Sequence, residues 1–190
     1  MDIREIKSKK IPVILDTDIG GDIDDTWALA MMLQSPELDI KLIATASDNT
    51  PERAKITAKL LEIAGRTDIP VGIGPQSNND LLPQSPWVKD YDLKKYPGIV
   101  YEDGVDAIIR TIHDSNEPVA LVSIGPLTNI ADVLSRDCSI TRNSAFVGMH
   151  GSVYRGYYDS DTPVPEYNVI HDVSAAKKVF ESDFDMTITP

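Results

Sequence analysis

Five of the ten residues from Asp16 to Asp25 are aspartates, in a stretch that reads DTDIGGDIDD. Asp16 and Asp18 follow an apolar run, Asp24 and Asp25 open an amphipathic one, and Gly20, Gly21 and Asp22 lie between. One or two acids at a helix start need no function, because they cap free N–H groups and suit the helix dipole. Five exceed that need. Carboxylates this close raise one another's pKa unless a cation shares them, and a hard divalent cation takes several oxygen ligands at once. The spacing therefore points to a Ca2+ or Mg2+ site, with the glycines turning the chain so that acids from both sides converge. A solvated acidic turn is the alternative.

Two other acidic patterns compare less well. An EF-hand loop would need a closing Glu where Trp27 stands, and would follow a helix rather than a strand. An Asp-x-Asp after a buried strand also resembles the haloacid-dehalogenase-like phosphatases, in which the first Asp attacks phosphorus. Those proteins carry Thr or Val where this chain has Gly20, and no later lysine stands in a matching context. A phosphatase stays open as a distant reading.

The elements around the acids alternate between apolar runs and helical periodicity. Residues 11–15 read as a buried strand and 25–33 as a helix. Residues 39–47 form the next strand, and 51–66 the clearest helix, with Pro51 near its start, Ile56, Leu60 and Ile63 along one face, and Gly65 to stop it. A strand at 69–74 precedes a stretch, 75–97, rich in Pro, Asn, Asp and aromatics, which reads as a long loop and a candidate lid. Helix 103–115, strand 119–124, helix 126–135, strand 144–148, a polar loop 150–167, helix 173–182 and strand 184–189 complete the series. Such alternation predicts an α/β fold: a mostly parallel sheet with helices on both faces and ligands at the carboxyl ends of the strands.

Composition bounds the partners. With 190 residues, 42% of them hydrophobic, the chain suffices for one domain with a sizeable core. A formal charge of −12 argues against nucleic acid, whose phosphates need clustered Lys and Arg. No apolar run approaches the roughly 18 residues of a membrane helix, and the charged N-terminus MDIREIKSKK lacks the apolar core of a secretory signal. The single cysteine, Cys138, forms no internal disulfide, so a reducing, cytoplasmic setting is expected.

Four motifs in order carry a resemblance. DTDIGGDIDDTWALA resembles the N-terminal signature of the inosine/uridine-preferring nucleoside hydrolases, with two additional residues before the Asp-Asp pair. IATASDNTPERAKITAKLLEIAG resembles the family's second strand and helix, VSIGPLTNIA its Leu-Thr-Asn-Ile turn, and EYNVIHDVSAAKKVF its Glu-x-Asn substrate motif. The resemblance implies a Rossmann-like core and Ca2+-dependent hydrolysis of the N-glycosidic bond of ribonucleosides. It also implies a possible homo-oligomer. Asp18 would be metal ligand and general base, Asp25 a second carboxylate on calcium, and the Ile124 carbonyl a neutral ligand. Asp24, Asn49, Met149, Glu166 and Asn168 would contact the ribose, with Asp16 in support and Asp22 a solvated turn residue. The alternation around Tyr167 would put Glu166 and Asn168 on one face of an extended segment. Asn129 is expected to tie down its own turn, His113 to face solvent, His171 to be solvated or capping, and His150 to lie near the pocket without serving as a ligand.

Family members continue with a distal histidine beside an aspartate, which has no counterpart here. The expectation is a single nucleoside hydrolase-like domain over residues 1–190, incomplete relative to the family, because FDMTITP ends on a strand. A non-catalytic homologue that binds calcium or ribose is the second hypothesis.

Overall fold

The computed structural model describes residues 10–190, so the charged N-terminal stretch read above lies outside the described residues. Seven strands form one sheet: β1 (Ile11–Thr17), β2 (Leu38–Thr45), β3 (Val71–Ile73), β4 (Val100–Tyr101), β5 (Val119–Ser123), β6 (Ser144–Gly148) and β7 (Asp185–Ile188). Their order is β4-β3-β2-β1-β5-β6-β7, and every pairing is parallel. The expected parallel α/β architecture is present, with β1 near the middle, where both faces of a strand must be apolar. Val13 and Leu15 face one layer and Ile14 the other.

Helices cover both faces. Helix α1 (Asp24–Leu33) and helix α2 (Thr50–Ile63) pack Leu29, Met32, Ile56 and Leu61 over Val13 and Leu15. Helix α4 (Gly104–His113), helix α5 (Thr128–Arg136) and helix α7 (Val173–Phe180) pack Ile108, Ile112, Ile130, Val133 and Val179 over Ile14 and Phe146. The caps are written in the sequence. Asn49, Asp103 and Asp172 each accept a backbone N–H three residues on, from Glu52 (3.3 Å), Asp106 (3.0 Å) and Ala175 (2.9 Å).

Three sequence expectations need correction. The buried face of α2 is built from Arg53, Ile56, Thr57 and Leu61, while Ile63 is 68% exposed. Residues 75–97 are not a free loop. They hold helix α3 (Ser85–Val88) and a short 3-10 turn, Leu93–Lys95, and bury Leu82, Val88 and Tyr96 in the core. Strand β4 follows, unanticipated because it has two residues. Finally, Glu166 and Asn168 do not flank an extended segment: Glu166 is the N-cap of helix α6 (Tyr167–His171), accepting from the N–H groups of Asn168 (2.8 Å) and Val169 (3.1 Å).

Candidate active site

The aspartate stretch crosses from the carboxyl end of β1 to the start of α1, as parallel-sheet geometry requires of a ligand site. Of the two glycines only Gly20 has positive φ, at 112°, and a Cβ there would meet Ile56 and Leu82 within 2.9 Å. That conformation and that space suit glycine alone. The turn opens onto a cleft of about 720 Å3, lined by Asp18, Asp22, Asp24 and Asp25 from this stretch. Ile124, Met149, Glu166 and Asn168 line it from the ends of β5 and β6 and from α6.

Asp16 is wholly buried beneath the cleft, accepting from Ser123 Oγ (3.0 Å) and Asn129 Nδ2 (2.7 Å). Burial pushes its carboxyl up to about 7 despite those donors. Asn129, expected to tie its own turn, instead reaches across to Asp16 and to the Thr45 carbonyl (3.1 Å). An Asp-x-Asp phosphatase would need Asp16 exposed as nucleophile, so its enclosure removes that reading.

Asp18 and Asp25 hold the centre. Burial raises Asp18 to about 6, opposed by the Arg53 guanidinium and reinforced by Asp24. Burial raises Asp25 to about 7, with Asp18 as the next cause, while a hydrogen bond from Thr17 Oγ1 opposes it. Asp24 and Asp22 are exposed at the mouth, and Gln84 Nε2 donates to the Asp22 carbonyl (3.0 Å). Asn168 Nδ2 donates to the carbonyls of Ile124 (3.0 Å) and Met149 (3.1 Å), and Glu166 Oε2 also accepts from Gly151 N–H (3.0 Å).

Asp18, Asp25 and Ile124 line this one cleft and carry oxygen donors, the atom type a hard cation takes. Among the described residues, no group of three or more His, Cys, Asp or Glu is arranged to hold a metal ion by itself.

Several expected or overlooked residues fall elsewhere. Asn49 is not on the cleft wall; its amide caps α2 and donates to the Asp80 carbonyl (3.0 Å). His150 is 1% exposed and lies behind the wall. His171 is exposed, as expected, and its side chain also bonds back to the protein, with Nε2 2.8 Å from Ser47 Oγ and 3.6 Å from Asp48 Oδ1. His113 pairs with Asp137 (2.7 Å) at the surface. Arg53 and Asp48 line the cleft without having been singled out. Ser47 and Asp48 both have positive φ, 69° and 56°, a strained conformation for residues with a Cβ. Arg53, 3% exposed, holds them there by donating to the carbonyls of Ser47 (2.9 Å) and Ile19 (2.9 Å) and to Asp48 Oδ2 (3.2 Å). The available signal was a charge in helical phase with Thr57 and Leu61.

A parallel sheet whose strand ends gather carboxylates, amides and a carbonyl around one cleft defines an α/β protein with a small-ligand site at its switch region. Residues 13–190 match the profile of the inosine-uridine preferring nucleoside hydrolases, and the chain belongs to that family. It is 35% identical over 188 residues to a pyrimidine-specific ribonucleoside hydrolase, RihA, of Photobacterium profundum, covering 93% of this chain and 59% of that protein. The chain thus spans well under two thirds of that relative's length. Its fold is shared with an inosine-uridine preferring nucleoside hydrolase from Bacillus anthracis (TM-score 0.75, 20% identity, 94% of this chain and 64% of that one). A plant nucleoside hydrolase, PpNRh1, is similarly close (TM-score 0.74, 27% identity, 94% and 59%). Among the described residues, no helix is long and apolar enough to cross a membrane.

Proposed function

We propose that this chain carries the metal- and ribose-binding half of a Ca2+-dependent ribonucleoside hydrolase, which cleaves the N-glycosidic bond to release base and ribose. The observation that carries the reading is one cleft lined by Asp18, Asp24, Asp25, Ile124, Met149, Glu166 and Asn168, residues drawn from separate segments of the chain. Asp18, Asp25 and the Ile124 carbonyl would hold the cation. A cation held there would supply Lewis-acid activation of water.

Asp18 would take the proton of the attacking water, as a carboxylate beside the cation can. As the water oxygen bonds to C1′ the glycosidic C–N bond breaks, the bonding pair leaves with the base, and the base is protonated from solvent. Asp24 accepts from the ribose hydroxyls at the cleft mouth, and Met149 forms an apolar wall. Asn168 and Glu166 take the 3′ and 5′ sides, Glu166 from an N-cap position fixed by three backbone N–H groups. Charge building on the ribose is positive, so the surrounding carboxylates favour the transition state. Asn49 serves by fixing the start of α2, the helix from which Arg53 reaches the cleft.

Ribose release from inosine and uridine with added Ca2+, measured by reducing-sugar assay, should be abolished in Asp18→Ala. No turnover on any ribonucleoside would overturn the catalytic claim. The span of 59% of the RihA relative's length favours a second reading, a module that binds Ca2+ or ribose without turning over. Calorimetric binding of either with no hydrolysis would establish it.

A further inference from the structure

His150 is wholly buried, yet it touches neither the cleft nor water. Its Nε2 lies 3.0 Å from the Gly125 carbonyl oxygen. The ring packs against Phe146 (centroids 5.9 Å) and edge-on against Phe180 (6.3 Å). Its Nδ1 is one of two buried side-chain polar atoms among the described residues with no hydrogen-bond partner. A Cβ on Gly148 would stand 2.5 Å from that nitrogen, so the backbone closes directly over it. A carbonyl only accepts, so Nε2 must carry the hydrogen. Burial lowers the imidazole's pKa, and the neutral ring then leaves Nδ1 as a bare acceptor. An orphaned buried acceptor is costly, and an apolar side chain would pack between the two phenylalanines without it. Glu166 attracts the ring at longer range, but among the described residues the hydrogen bond to Gly125 is the polar contact that accounts for an imidazole here.

Gly125 is pressed against the candidate general base. A Cβ on it would lie 2.8 Å from the Asp18 amide nitrogen and 2.9 Å from Asp18 Oδ1. The adjoining Ile124 is fixed on two other sides, its N–H donating to the Asp16 carbonyl (2.9 Å) and its carbonyl accepting from Asn168. We propose that His150 is a positioning residue: as the Nε2–H tautomer it completes a three-sided clamp on the Ile124–Gly125 turn, holding the Ile124 carbonyl and the Asp18 carboxylate in register. This rests on reading that turn as part of a cation site.

The test uses the wild-type chain with His150→Phe, which keeps aromatic volume, and His150→Gln, whose amide N–H replaces that of Nε2. Three readouts are taken: the imidazole 15N shifts without Ca2+, exchange of the Ile124 amide without Ca2+, and calorimetric titration with Ca2+ alone. Nε2 should be protonated and Nδ1 bare at neutral pH. An Nδ1–H tautomer or a doubly protonated ring overturns the assignment. His150→Phe should unfold near the wild-type temperature but exchange Ile124 about tenfold faster. It should bind Ca2+ about ten- to a hundredfold more weakly, with His150→Gln within about threefold of wild type. Wild-type affinity in His150→Phe, or equal loss in both variants, overturns the proposal. If the wild type binds no Ca2+, the cation reading fails by itself, and the Ile124 exchange rates still decide whether His150 clamps the turn.

Discussion

Asp25 is under two opposed demands. Burial, and then Asp18, raise its carboxyl from 3.8 to about 7, so without a cation the folded state binds a proton there more tightly than the unfolded chain does. The stability linked to that proton is fully present below about 4 and is lost as pH rises through about 7. Asp25→Asn retains an oxygen for the Thr17 hydroxyl and removes the charge. Without metal it should therefore stabilise the fold at pH 8 by on the order of 1–3 kcal/mol and change little at pH 3.5, below the unfolded-state value. It should also weaken Ca2+ binding by at least about tenfold, since a charged ligand is gone. Denaturant unfolding in chelator at the two pH values checks the first part, and a loss of stability at pH 8 would contradict it. The aspartates were legible because their crowding has no structural excuse. Arg53 and Asp48 were not, because a single charge on a helix or in a turn ordinarily reads as solvated. Their meaning comes from a left-handed turn that the sequence does not announce.

Elements were readable wherever their period was long enough to stand out. The inner strands are continuous apolar runs, as a sheet covered on both faces demands, and Asn49, Asp103 and Asp172, which cap α2, α4 and α7, mark where those helices begin. Short elements escaped. Strand β4 has two residues and α6 five, too few to display a period. The segment 75–97 has none because Leu82, Val88 and Tyr96 anchor it at irregular intervals, each filling a gap beside α2 or β3. Asn49 shows how one residue can be read two ways at this scale. Its side chain caps α2 and ties it to Asp80, so Asn49→Ala should cost about 1–2 kcal/mol, and Asn49→Ser, which can still cap, should recover about half. Urea unfolding midpoints measure both. Wild-type stability in Asn49→Ala would return the residue to the ribose.

At the scale of the whole molecule, a chain of formal charge −12 gathers three carboxyls with raised pKa values at the carboxyl ends of its central strands. Asp16 and Asp25 reach about 7 and Asp18 about 6, each from 3.8 and each mainly through burial, so all three favour the metal-free fold more at low pH. Their stabilising contribution is complete below about 4, falls progressively as pH rises, and is gone above about 6 for Asp18 and about 7 for Asp16 and Asp25. A cation that binds ionised Asp18 and Asp25 reverses the trend, because protons and metal compete for the same oxygens. At neutral pH, Ca2+ at about a hundred times its dissociation constant should add about 2.7 kcal/mol, or roughly 5–10 °C in Tm for a chain of this size. That gain should shrink as pH falls toward 5, where the carboxyls hold protons. Sodium chloride at matched ionic strength only screens charge, and half-buried groups feel screening weakly, so it should give a small shift with little pH dependence. A calcium shift no larger than that of sodium at pH 7.5 would mean the carboxylates do not share a cation. The raised pKa values would then mark a strained acidic turn, with its charges relieved by protons.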